Sequence, residues 1–176
     1  MVHSRTVAKN ESLGKEIRMA RTGYDPATLT VTLTESIALN NKDYGSTQSF
    51  SVDSIASVTR RLITVTNTEA TIASFGAAVG AGAYIYSKVQ YIRFTNIDDT
   101  SYVSLTIKNV HNNEASYGLH EGKSFFIATD GTAGLAGMLD GSASAITTPD
   151  LSYITEIRAK CEGAAADLEM IIAETA

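Results

Sequence analysis

Thr28-Leu29-Thr30-Val31-Thr32-Leu33-Thr34 is the stretch on which the fold of this chain turns. Hydroxyl and aliphatic side chains alternate there with period two, the spacing that sends successive side chains to opposite faces of an extended strand. Thr and Val suit that backbone because branching at Cβ fits a pleated surface. Leu29, Val31 and Leu33 are expected to face a core, and the threonines to form a polar outer face. Tyr24-Asp25-Pro26 before the run is a turn signal, and Asn40-Asn41-Lys42-Asp43-Tyr44-Gly45 after it reads as a loop.

The pattern continues outward from that strand. Phe50 and Val52, then Leu62-Ile63-Thr64-Val65-Thr66, a turn near Asn67, and Thr71-Ile72-Ala73-Ser74-Phe75 are short strand signals with polar breaks between them. Gly76 to Ala83 reads as a flexible connection, the other reading being a surface where another backbone packs closely. Ala83 to Asn96 and Tyr102 to Lys108, separated by Ile97-Asp98-Asp99-Thr100, have the spacing of a hairpin and the densest apolar content of the chain. Asn112-Asn113-Glu114 is a further break, and Gly118 to Lys123 leads into Ser124-Phe125-Phe126-Ile127-Ala128. Residues 129–150 read as a long loop with one helical turn. The end of the chain admits two readings. Pro149-Asp150 is able to open a helix carrying Leu151, Ile154, Ile157 and Cys161 on one face. Alternatively, Tyr153, Thr155, Ile157, Ala159 and Cys161 alternate with Ile154, Glu156, Arg158, Lys160 and Glu162, which separates charge from carbon better. The second reading is preferred: two strands, with a turn over 162–167 and Leu168 to Ala173 closing the sheet. The expected fold class is all-β, an antiparallel β-sandwich of jelly-roll type, with residues 1–27 as an extended basic arm and 28–176 as the sandwich domain.

Composition narrows the functional classes. With 176 residues, 44% of them hydrophobic, the chain suits one domain with its own core. Its longest weakly apolar stretch, Phe75 to Tyr86, is shorter than the roughly 20 residues of a membrane-crossing helix, and Met1 to Thr6 has no apolar run of a secretory signal. A single cysteine, Cys161, excludes an intrachain disulfide and reads as a buried structural thiol. A net charge of -5 argues against nucleic-acid binding, since neutralising phosphates needs a basic surface. The charge is uneven. Arg5, Lys9, Lys15, Arg18 and Arg21 face only Glu11 and Glu16 in the first 21 residues, net +3, which leaves net -8 for the remainder. Arg5, Lys9, Arg18 and Arg21 are therefore candidate protein-interface residues that would dock on an acidic neighbour, such as another copy of the body; a solvated terminus is the other reading.

Catalytic patterns are sparse. There is no Gly-x-x-x-x-Gly-Lys-Ser/Thr phosphate loop and no Gly-x-Ser-x-Gly nucleophile elbow. His111 and His120, with Glu114 and Glu121 beside them, are the one imaginable transition-metal or hydrolytic set, yet an offset of nine positions between the histidines matches no helical ligand spacing. Asn96, Asp98 and Asp99 lack the spacing of a calcium loop. No catalytic, metal or cofactor residue is assigned. A binding-module alternative, for carbohydrate or a host surface, would use Tyr44 and Tyr117 with Asn112 and Asn113.

Tyr91-Ile-Arg-Phe-Thr-Asn-Ile-Asp-Asp-Thr-Ser-Tyr-Val-Ser-Leu-Thr-Ile107, then Gly122-Lys-Ser-Phe-Phe-Ile127, then Ile157-Arg-Ala-Lys-Cys-Glu-Gly163 and Asp167-Leu-Glu-Met-Ile-Ile172, resembles small β-sandwich virion proteins of tailed bacteriophages, including marine and cyanobacterial phages. The resemblance spans about residues 84–175 and carries over no functional residue. It implies a non-enzymatic structural protein located in the virion, as capsid cement or decoration or a neck, tail or fibre component. The implied partners are copies of itself in a homo-oligomer and other virion proteins such as the major capsid protein, with no nucleic acid, membrane or cofactor.

Overall fold

The computed structural model describes residues 25–78, 80, 83–129, 136–139 and 151–176. The proposed arm residues Arg5, Lys9, Arg18 and Arg21 lie outside the described residues. Among the described residues, thirteen strands follow in order: β1 (Ala27–Glu35), β2 (Ala38–Leu39), β3 (Lys42–Asp43), β4 (Ser46–Thr66), β5 (Ala70–Gly76), β6 (Ala83–Ile85), β7 (Val89–Asn96), β8 (Val103–Asn109), β9 (Glu114–Leu119), β10 (Ser124–Ala128), β11 (Ala136–Leu139), β12 (Leu151–Cys161) and β13 (Ala165–Thr175). They form an all-β sandwich. One sheet has the order β1-β4-β13-β7-β10, the other β6-β5-β12-β8-β9 with β11 beside β12, and β2 and β3 make a small separate ladder.

The C-terminal strands organise the core. β12 and β13 are extended, as the separation of charge from carbon predicts, and the turn between them is shorter than expected, because β13 begins at Ala165. Each occupies the middle of its own sheet, so Ile157, Ala159 and Cys161 meet Leu168, Met170 and Ile172 in one cluster. All six are at most 1% exposed. Cys161 is a buried free thiol. Ile154, assigned by simple alternation to the charged face, is buried as well. A register irregularity between Ile154 and Glu156 breaks the period of two and returns Ile154 to the apolar side.

Several strands that are consecutive in the chain fall in different sheets. The hairpin expected around Ile97 to Thr100 is a crossing between sheets: β7 pairs with β13 and β10, whereas β8 pairs with β12 and β9. The same holds from β4 to β5, from β9 to β10 and from β12 to β13. Alternation sets which face of a strand is apolar but leaves its hydrogen-bonding partner open. Here Phe94 and Leu105 bury each other's strands across the core. Buried asparagines hold two of the turns. Asn96 donates through Nδ2 to the Ser101 and Leu119 carbonyls at 2.7 and 3.0 Å and accepts from the Asp98 amide at 3.1 Å. Asn109 accepts through Oδ1 from the amides of His111 and Asn113 at 3.0 and 2.9 Å. Within 129–150, expected to be a loop with a helical turn, Ala136–Leu139 is instead a strand on β12. Of the Gly76 to Ala83 connection, residues 79, 81 and 82 fall outside the described residues, and the flanking β5 and β6 pair in parallel.

Candidate interaction surface

β4 is 21 residues long and changes partner midway. From Ser46 to Ile55 it pairs with β1, and from Ile55 to Thr66 with β13. The change coincides with irregularities on both ladders and with Ser54, whose φ of 61° is left-handed. Beyond this point β1 and the first half of β4 continue as a two-stranded ribbon.

The ribbon corrects the expectation for the Thr28–Thr34 run. Leu29 and Val31 are only half-buried, and Leu33 is 50% exposed. They do not enter the main core. Leu29 and Val31 instead pack with Val52, Ile55, Tyr91 and Ala173 in a second, smaller cluster. Tyr91 and Ala173 alternate with the core residues Ile92 and Ile172, so this cluster lies on the outer face of the first sheet. Phe50 stacks on Phe126 of β10 with ring centroids 6.2 Å apart, and Tyr91 lies 6.3 Å from the same ring. Those contacts root the ribbon across the sheet. On its other face, hydroxyls pair across the strands: Thr32 with Ser49 at 3.1 Å, and Thr28 donating to Asp53 at 2.9 Å.

Past the root the ribbon is bare. Ile37, Leu39 and Tyr44 are 54%, 57% and 56% exposed. The predicted loop is a tight hairpin, with Asn40 and Asn41 both left-handed at φ of 53° and 61°, as a two-residue primed turn requires. Gly45 makes the return possible, because a Cβ there would sit 2.6 Å from the Glu35 carbonyl oxygen. The Lys42 ammonium lies 5.4 Å from the Tyr44 ring centroid.

The neighbouring outer face of the first sheet combines apolar and ionic groups. Leu62 and Val58 of β4 are 64% and 61% exposed. Arg60, which lies between them on β4, and Arg93 of β7 hold Glu169 of β13, Arg93 at 2.6 Å. Arg60 foremost, with Arg93, keeps the Glu169 carboxyl below its ordinary range. Burial raises the Tyr91 phenol above its ordinary value. Sequence reasoning missed this network because Arg60 and Glu169 are 109 residues apart and nothing local marks either.

The other sequence candidates are not brought together. His111 lies in the β8–β9 turn and His120 just beyond β9, so the six residues of that strand separate them. His120 sits against Tyr102 and Glu121. Among the described residues, no group of three or more His, Cys, Asp or Glu is placed to hold a metal ion. Tyr44 is at the ribbon tip, while Tyr117 stacks on Phe125 at 4.8 Å, and Asn112 and Asn113 belong to the β8–β9 turn. Asp98 serves its own turn, accepting from the Thr100 and Ser101 amides, which lower its pKa. A cleft of about 250 Å³ between β4 and β5 is lined by threonines, small aliphatics and Arg61. It offers hydroxyl hydrogen bonds but no paired acid and base. Among the described residues no helix is long and apolar enough to cross a membrane. No protein-family model matches this chain, and no curated protein is significantly similar to it in sequence.

Proposed function

We propose that this chain is a non-enzymatic structural subunit that works by contact with other subunits, through the β1–β4 ribbon and the outer face of the first sheet. The observation that carries this reading is the exposed row Leu33, Ile37, Leu39 and Tyr44 on a ribbon already committed to a defined backbone. A lone two-stranded hairpin is marginal in water, and displayed apolar side chains on such an element fit a surface that a partner covers. The resemblance to tailed-phage virion proteins supports a virion as the setting, with capsid cement, decoration, or a neck or tail accessory as the role. The ribbon is proposed beside the docking part expected of residues 1–27, whose Arg5, Lys9, Arg18 and Arg21 lie outside the described residues.

The test is sedimentation velocity of the full chain over a concentration series, beside the variant Leu33→Ser/Ile37→Ser/Leu39→Ser/Tyr44→Ser. The expected result is a wild-type species heavier than the 18.7 kDa chain, and a lighter species for the variant at an unchanged urea midpoint. Monomers throughout for both proteins would contradict the reading.

A further inference from the structure

We infer that β1 pairs edge to edge with β1 of a second copy, antiparallel about a two-fold axis through Val31. This rests on the contact reading above and names both the partner and the register.

β1 is an edge strand, hydrogen-bonded among the described residues only to β4. Its nine residues make it the longest of the sheet-edge strands, against three in β6, six in β9 and five in β10. Edges are commonly protected by shortness, lysine, proline or inward charge. β1 carries none of these between Ala27 and Thr34. The half of β4 that pairs with β13, by contrast, bears Arg60 and Arg61.

The second observation is in the side chains. Thr28 to Thr34 reads identically in both directions around Val31. Antiparallel pairing of two identical strands joins each residue to its mirror position, so a palindrome is self-complementary in the way an isologous interface demands. Val31 meets the partner's Val31, Leu29 meets the partner's Leu33, and Thr30 meets the partner's Thr32. All nine residues pair, with Ala27 opposite the partner's Glu35 and no like charges facing. A shift of one residue would set threonines against aliphatics, and a shift of two would leave strand ends unpaired. Leu33, half exposed in the single chain, gains an aliphatic neighbour.

The register dictates the test. Thr30 and Thr32 are both exposed and project from the hydroxyl face. In Thr30→Lys/Thr32→Lys each introduced lysine faces one from the other copy, whereas in Thr30→Lys/Thr32→Glu each faces a carboxylate. Sedimentation equilibrium on the full chain is expected to show dimerisation weakened roughly tenfold or more in the first variant and retained in the second, since like charges directly opposite destabilise a ladder. Oxidised Val31→Cys should give a disulfide-linked dimer and Thr28→Cys should not, because facing residues lie about 4.5–5.5 Å apart at Cα, within disulfide reach. Association equally strong in both charge variants, or equal crosslinking at both positions, would overturn the edge pairing while leaving the contact reading intact. A wild-type chain that stays monomeric would overturn both.

Discussion

The sandwich and the ribbon are built from the same alternation and end in opposite states. In β13, Leu168, Met170 and Ile172 are sealed at 0% exposure. In β1, Leu29, Val31 and Leu33 have the same spacing, yet none is fully buried. The difference lies in what covers them. β13 has neighbours on both edges and a second sheet over its inner face. β1 has one neighbour, and below it the small cluster around Tyr91. Period-two patterning thus specifies a strand and its apolar side, while the cover comes from the rest of the fold or from another molecule.

The sharpest way to break this contrast is to truncate one aliphatic in each region. Ile157→Ala should destabilise the chain by about 2–5 kcal/mol in urea unfolding, because it opens a cavity in a core that cannot collapse around it. Leu39→Ala should change the monomer's stability by less than about 0.5 kcal/mol. A large loss at Leu39 would mean that the tip is packed within its own chain. Next in size is Asn96→Ala, expected to cost about 1–3 kcal/mol because the buried Leu119 carbonyl, the half-buried Ser101 carbonyl and the Asp98 amide lose their partner. Gly45→Ala should act locally: hydrogen exchange should quicken over residues 36–46 while β12 and β13 keep their protection, since the added Cβ meets the Glu35 carbonyl oxygen.

The smallest effect concerns charge. Glu169 has a depressed folded-state pKa, so its contribution is present above the ordinary value of 4.5 and is lost as pH falls through the lower folded value. Glu169→Gln should therefore flatten the acid limb of stability below about pH 4.5. At neutral pH it should cost less than about 1 kcal/mol, since Arg60 is 74% exposed and screened by solvent. An unchanged acid limb, read from urea midpoints over pH, would place the acid sensitivity elsewhere, for example at Asp98.

Much of this fold is legible in particular residues. The charge pattern of Glu156, Arg158 and Lys160 distinguishes strand from helix at the C-terminus, and the Asn-Asn pair marks the ribbon's return. What is not legible follows from the physics of sheets. Val103 and Leu105 announce an apolar face without saying whether β7 lies beside it or across from it. Ile154 is misread because irregularities in register leave no simple mark in composition. The contact surface is the least legible part. Leu33 and Leu168 look alike in sequence, and only the strand order tells which one lacks a cover.

Hydrogen exchange of the full chain at low and high concentration tests the central claim most directly. Protection should rise with concentration across residues 27–46 and stay constant in β7, β12 and β13. Protection that is independent of concentration in the ribbon, or that rises only elsewhere, would contradict its role as the surface other subunits cover.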